Sequence, residues 1–566
     1  MPQATLSAAR LLEGLEPAPT PEEVRTQLEL SKVEVERWSG DALTISCTPD
    51  RLDLLCETGL RAYLDGATGR ALGMPVLRDH SLPPGEFLEA SARVAPLRAE
   101  VAALLLHAPP GVALDDGLLA EAVRLQELLH ATLGGARRLA SLGMYPGGSL
   151  RFPLRYDREP MAGLEFTPLG GSGTVAVDRF YAEHPMAQQF GALGREGNEC
   201  LTLRDGSGAV LSLPPVLNSS AVGEIRTGDR RILLESTGTA RPRVEESLAL
   251  LAMPFLLRGW SAGPIRVKAA DGVRAGETLL APRHLERPAP LIERISGLRL
   301  DPLEVEQLLG RARLAHRRAG EDFLVAASPW RNDLMAPVDL VEELLLFRGY
   351  RDEEARSPPS GTIGRRQPRI RWRQRAAGLL LGLQFVPVVN TLLGPEELVQ
   401  AIGRTTAVEL SNPVSREFAR ARDSLELSLL GSLQRNRRHG YPQRISELGA
   451  VLRAEPEAES GARTEVHLGF VVAGEGAGLS DAAATLDYLL RRNGVAGVRE
   501  PARLPGTIPG RAARLRLAGV ALAEMGELHP EVLETLGIPV PVAWGELDLD
   551  ALYPLLAGPT DGAAAL

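Results

Sequence analysis

Residues 331–350 read RNDLMAPVDLVEELLLFRGY, and more of the chain's organisation follows from this stretch than from any other. Pro337 suits the first position of a helix. A helix starting there carries Asp339, Glu342 and Glu343 at i, i+3 and i+4, on one face, with Asp333 just ahead of it. Carboxylates near a helix N-terminus gain roughly 0.3–1 kcal/mol each from the macrodipole, while like charges four residues apart lose a few tenths. Two readings follow from the spacing. One is an acidic first turn that caps the helix. The other is a hard cation such as Mg²⁺ held by the oxygens of Asp333, Asp339, Glu342 and Glu343, which would relieve the repulsion.

Working outward, the chain has 566 residues, 44% hydrophobic and 24% charged, an ordinary globular composition. At roughly 100–200 residues per domain, such a length predicts several separate cores. Cys47, Cys56 and Cys200 are too few and too scattered for a disulfide framework or a zinc site, which fits a reducing cytoplasm. The N-terminus lacks the layout of a signal peptide. The apolar run at 248–257 stops at Arg258, well short of the roughly 18 residues that argue for a membrane span, so no membrane role is indicated. A net charge of -9 does not advertise a nucleic-acid binder. Two local arginine clusters, around Trp372 and around Tyr441, read as solvated faces or subunit contacts or as phosphate contacts.

Local signals divide the chain. Thr20, Pro21 and Glu23 form a capping box with Val24 and Leu28 on the inner face. Residues 32–38 and 42–47 alternate around a Ser-Gly-Asp turn, predicting a hairpin. The run 100–107 reads as an apolar helical stretch, and 170–173 as a glycine turn. Asp301 opens a helix with Val305, Leu308 and Leu309 inside, followed by a strand at 323–327. Residues 357–369, rich in Pro, Gly and Arg, read as a boundary. Beyond them, helix and strand signals alternate, as at 375–382 and 385–392.

The string at 331–350 resembles the signature of the phenylalanyl-tRNA synthetase beta subunit, R-x-D-[IL]-x-x-P-V-D-[LI]-[IV]-E-E followed by an aromatic and G-Y. Three further segments carry the same resemblance. Residues 410–449 (LSNPVSREFARARDSLELSLLGSLQRNRRHGYPQRISELG) follow the family's N-P-[LV]-S-x-E-[FY] to G-Y-P-Q-R-I-x-E-[IL]-G run; LPPVLNS with LLESTGT at 213–239 resembles its editing domain; DRLDLLCETGL at 50–60 is similar to its N-terminal N-R-P-D-L-L motif. All four stand in the family's order. The length matches the short archaeal and eukaryotic form.

The resemblance implies an α+β multidomain chain: a small mixed N-terminal domain (1–78), an α+β editing domain (79–275), a winged-helix-like module with the acidic Mg²⁺-binding helix (285–356), and a catalytically inactive class II synthetase-like domain (365–566), an antiparallel sheet with flanking helices. It further implies a cytoplasmic phenylalanine-tRNA ligase. In an alpha2-beta2 heterotetramer, the alpha subunit uses ATP to attach L-phenylalanine to tRNA(Phe), and this chain hydrolyses mischarged Tyr-tRNA(Phe). The only lysines, Lys32 and Lys268, do not follow glycine, so a G-x-x-x-x-G-K-[ST] loop is excluded, as is the lysine-rich loop of class I synthetases.

On the family pattern, Glu235 accepts the tyrosine hydroxyl, while Leu203, Ser212 and Thr237 line the pocket. These roles come from the resemblance, since a Ser or Thr beside glycine is ordinarily a turn former. His184 reads as a helix-end cap on carbonyls rather than a general base. Glu235 stands where Asp is frequent, Ala240 where Asp is usual, Leu52 where Pro is usual and Asp423 where Thr is usual. Those departures keep two alternatives in view: an editing-dead structural subunit of the same assembly, and a stand-alone tRNA-binding or trans-editing paralogue.

Overall fold

The computed structural model describes residues 1–15, 19–28, 31–171, 173–274, 276, 279–287, 289–350, 357, 361, 363–404 and 406–557. Two compact units divide the chain, Met1–Arg356 and Ser357–Leu566. Residues 358–360 and 362 of the segment read as a boundary lie outside the described residues.

In the first unit the Thr20 box forms reciprocally: Thr20 N donates to Glu23 Oε2 at 2.7 Å and Glu23 N to Thr20 Oγ1 at 3.2 Å. The helix it starts, Pro21–Leu28, buries Val24 and Leu28. The hairpin forms as strands Val33–Ser39 and Ala42–Cys47, and a strand with no sequence signal, Gln3–Ser7, completes a three-stranded sheet.

Residues 100–107 are not helical. They form the strand Glu100–His107, paired on one side with Arg231–Gly238 and on the other with Ser261–Pro264. Six consecutive residues of it are buried because this central strand is covered on both faces, and an apolar run without alternation cannot be told from a buried helix by pattern alone. One face of that five-stranded sheet packs on the helices Asp116–Ala131 and Arg241–Leu257, in a core that runs on to Leu6, Leu60, Leu309 and Leu344. The other face meets an eight-stranded sheet through Ala103, Leu105, Tyr145 and Leu233 against Leu88, Tyr156, Leu203 and Leu211.

The helix Pro302–Arg311 is capped by Asp301, whose carboxylate accepts Leu303 N at 2.8 Å, and Val305, Leu308 and Leu309 are buried. With strands Arg283–Arg287, Ala315–Ala319 and Asp322–Ala327 and the helix Pro337–Arg348 it makes a small helix-rich module.

The second unit is built on a seven-stranded sheet, antiparallel except where Val386–Pro387 pairs in parallel with Gln443–Ala454. Of the strand signal at 385–392 only that two-residue strand forms. Helices Leu425–Arg435 and Pro530–Leu536 cover one face, and Pro368–Leu381 and Leu479–Arg492 the other. Among the described residues no helix is long and apolar enough to cross a membrane.

Candidate functional site

On the strand Arg231–Gly238 alternate residues point to opposite cores. Ile232 and Leu234 join the helical side, so Leu233, Glu235 and Thr237 face the layer between the two sheets. Leu203 and Ser212 are cross-strand partners in the opposing sheet and bring their side chains to the same layer. At the edge of that layer, beside the edge strand Ala140–Pro146, a cavity of about 460 Å³ is lined by Glu235, Ser212, Tyr145, Met144 and Pro214 together with Gln126 and His130 of the helix Asp116–Ala131. Glu235 and Ser212 therefore lie on its wall. Leu203 and Thr237, fully buried, do not line it, and Thr237 Oγ1 pairs with Ser141 Oγ at 3.1 Å.

Glu235 is 3% exposed. The Tyr145 hydroxyl lies 2.9 Å from its Oε2 and 2.8 Å from Ser212 Oγ. A phenol has one proton, so with Glu235 ionised it donates to the carboxylate and accepts from Ser212. Glu235 Oε1 has no hydrogen-bond partner although it is buried. Burial raises this carboxyl to about 7, and the Tyr145 contact, the Arg98 guanidinium and the nearby Thr237 hydroxyl only partly oppose the rise. Arg98, itself buried, spans the site's rear, donating to Ser141 Oγ at 3.1 Å and to the Thr237 carbonyl.

Space for this arrangement comes from Gly143, the cross-strand partner of Glu235. A Cβ there would stand 2.3 Å from the Tyr145 hydroxyl and 2.6 Å from Glu235 Oε2, distances no side chain tolerates. Tyr145, Gly143, Ser141 and Arg98 carry no sequence signal of their own. Tyr145 is 90 residues from Glu235 along the chain and reaches it only because their strands are neighbours.

The acids of 331–350 meet a different environment. Both Asp333 oxygens accept from Arg331, at 2.9 and 2.7 Å. Burial would raise the Asp333 carboxyl, but the Arg331 and Arg51 guanidiniums outweigh it and hold the group well below the usual range. Glu343 is buried with Oε1 2.8 Å from Arg331 and 3.7 Å from Arg51, and Arg51 in turn grips Asp53 through Nε and Nη2 at 2.9 and 3.0 Å. Asp339 Oδ2 accepts the amides of Met335 and Ala336 at 2.8 and 2.7 Å, capping the helix. Glu342, half exposed, pairs with Lys32 at 3.0 Å. As a set the four do not fit a divalent cation: their oxygens are held by guanidiniums, an ammonium and backbone amides, and among the described residues the three-ligand clustering that an ion needs is found elsewhere.

His184 ends the helix Val177–Glu183, as the sequence suggests, its backbone N–H donating to the Phe180 carbonyl at 2.9 Å, while its ring caps the start of the next helix. Its Nδ1 accepts Met186 N at 3.2 Å, at the start of Pro185–Phe190. Of the arginines around Trp372, Arg369 and Arg373 pair with Asp550. A cavity of about 510 Å³ in the second unit is lined by Leu398, Phe418, Arg420, Arg422 and Arg435, but those guanidiniums already pair with Glu396, Glu447 and Asn390. The polar opening with a spare acceptor is at Glu235.

Against known proteins, residues 354–549 match the phenylalanyl tRNA synthetase beta chain CLM domain, and residues 287–350 the tRNA synthetase B5 domain. The phenylalanine–tRNA ligase beta subunit of Thermofilum pendens is 30% identical over 94% of this chain and 94% of its own length. That of Korarchaeum cryptofilum is 28% identical over 97% and 98%. The crystal structure of an N-terminal fragment of the phenylalanyl-tRNA synthetase beta-subunit from Pyrococcus horikoshii covers 62% of this chain and 100% of its own, with a TM-score of 0.58 and 22% identity, a likeness of fold.

Proposed function

The chain belongs to the family of phenylalanine–tRNA ligase beta subunits, and from that premise we propose that it joins an alpha subunit in an alpha2-beta2 assembly that charges tRNA(Phe), and that its Glu235 cavity hydrolyses Tyr-tRNA(Phe). ATP, with the magnesium that accompanies it, and phenylalanine activation belong in this reading to the alpha subunit. Phenylalanine and tyrosine differ by one hydroxyl, and an apolar synthetic pocket rejects an added hydroxyl by only about 100-fold, so a second site that rewards that hydroxyl raises accuracy.

The observation that carries the reading is that Glu235, whose Oε1 is buried without a hydrogen-bond partner, belongs to the wall of a cavity. An acceptor without a partner costs roughly 1–3 kcal/mol. A tyrosine hydroxyl that donates to it removes that cost, whereas a phenylalanine ring leaves it. Tyr145 and Gly143 hold the carboxylate in place, the first by occupying Oε2 and the second by leaving room for both groups. Among the described residues no side chain stands in the cavity as an evident nucleophile with a base beside it, so the hydrolytic step is assigned to water positioned against the ester. For the acids at 331–350 we propose an ion-pair and capping role. Asp339 and Glu342 are the pair left toward solvent, and they alone remain to meet Mg²⁺ at a seam with the alpha subunit.

The purified chain should not support phenylalanine-dependent pyrophosphate exchange, and the assembled pair should. The pair should also deacylate pre-charged Tyr-tRNA(Phe) well above the spontaneous rate. Exchange by the single chain would overturn the subunit assignment, and failure of the assembled pair to deacylate would move the protein to the structural-subunit reading.

A further inference from the structure

In the second unit, Glu465 and His467 stand two apart on the strand Ala462–Ala473. Glu546 and Asp548 end the neighbouring strand Val542–Asp548, with His467 directly opposite Asp548. All four therefore share one face of the sheet. His467 Nδ1 lies 2.6 Å from Glu546 Oε1, and its Nε2 is 3.2 Å from Glu465 Oε2 and 3.8 Å from Asp548 Oδ2. One ligand atom from each of Glu465, His467 and Asp548 falls within 4.8 Å of the others.

We propose that Glu465, His467 and Asp548 form a binding site for a divalent transition-metal ion of the Zn²⁺, Mn²⁺ or Co²⁺ class. Four features of the geometry lead there. Bonds of about 2.0–2.2 Å in a tetrahedral shell keep ligand atoms roughly 3.3–3.6 Å apart, close to the two distances at Nε2. The donor set, one imidazole nitrogen with two carboxylate oxygens, selects borderline ions over Mg²⁺ or Ca²⁺. The second ring nitrogen is held by a buried carboxylate, the support that fixes the tautomer of a ligating histidine, and that carboxylate is itself fixed by Ser424 Oγ and by Leu425 N at 3.0 Å. Finally, each acid presents one oxygen while the other is occupied. Asp548 Oδ1 caps the following helix by accepting Asp550 N and Ala551 N at 2.8 and 2.9 Å, which leaves Oδ2 toward the ring. Glu465 Oε1 takes Arg463 at 2.6 Å.

A cavity of about 110 Å³, lined by His467, Asp548, Glu546 and Arg453, leaves room for the water that completes an open coordination shell. The ion would stand in place of the Nε2 to Glu465 Oε2 hydrogen bond of 3.2 Å. Three arginines line this cavity: Arg404 and Arg514 are held by Glu426 and Glu524, while Arg453, 3.3 Å from Glu465 Oε2, competes for a ligand oxygen and must swing aside.

The test is calorimetric titration of the full chain, stripped of metal, with Zn²⁺, repeated with Co²⁺ while recording its visible absorption. One ion per chain should bind saturably, and bound Co²⁺ should give the intense bands of a four- or five-coordinate site. Asp548→Asn, which keeps the helix cap, and His467→Gln should each weaken binding at least tenfold. Glu546→Gln should weaken it about 10- to 100-fold through the ring's orientation alone. If the histidine variant fails to fold, Asp548→Asn decides. Absence of a saturable site in the wild type, or unchanged affinity in Asp548→Asn, would overturn the proposal.

Discussion

Among the buried acids of the first unit, those at the helix Pro337–Arg348 and Glu235 differ in what faces them. Asp333 and Glu343 share Arg331 and Arg51, so each charge has its counter-charge within the fold. Glu235 has a phenol on one oxygen and no hydrogen-bond partner on the other, and its side chain forms part of a cavity wall. The first arrangement uses acids to join distant segments, since Arg51 comes from the N-terminal region. The second keeps an acid ready for something the chain does not supply. Spacing in sequence made the first look like a ligand site and the second unremarkable, and only an account of partners reverses that order.

If the first cluster is a closed ion-pair network, removing one guanidinium strands buried carboxylates. Arg331→Met should destabilise the first unit by about 3–5 kcal/mol in chemical denaturation. A loss under about 1 kcal/mol would mean that the acids find other cations and that the contrast is false.

The Glu235 side of the comparison predicts a pH signature. Its carboxyl ionises at about 7 in the fold against an ordinary 4.5. The folded state thus holds an extra proton between these values. This group's contribution to stability is fully present below 4.5 and is lost as pH rises through 7, by about 3 kcal/mol. Glu235→Gln, neutral at every pH, should gain on the wild type by that amount between pH 4.5 and 8, measured as the difference in denaturation free energy. A difference that stays flat would mean Glu235 is solvated or paired as well as Asp333 is.

Smaller effects sharpen the same contrast. Asp339→Ala loses a cap and should cost about 0.5–2 kcal/mol, identically in Mg²⁺ and in chelator. Glu342→Gln breaks a surface pair with Lys32 and should cost under about 1 kcal/mol. If the double variant Asp339→Asn, Glu342→Gln changes the Mg²⁺ dependence of assembly with the alpha subunit, these two acids do hold an ion at that seam.

Much of the fold was legible because its signals are local. The capping box at Thr20, the hairpin around Gly40, the cap at Asp301 and the proline start of the acidic helix each rest on neighbouring residues. The strand Glu100–His107 was not legible: a strand buried on both faces loses the alternation that marks strands. Nor was Gln3–Ser7, too short to show a period. At the candidate site, Ser212 and Glu235 came from resemblance, while Tyr145, Gly143 and Arg98 reach Glu235 through strand pairing across long separations that no spacing encodes. The counter-charges of the acidic cluster were hidden for the same reason, with Lys32 standing 310 residues from Glu342.

The central claim is that Glu235 is a receptor for the tyrosine hydroxyl. It is tested most directly by deacylation of pre-charged Tyr-tRNA(Phe) by the assembled wild type and Glu235→Ala, side by side. A hydrogen bond to a charged group contributes about 1.5–3 kcal/mol, so the variant should be slower by roughly 10- to 150-fold, with phenylalanine charging intact. Equal deacylation rates in the two proteins would contradict the account and remove Glu235 from the pocket.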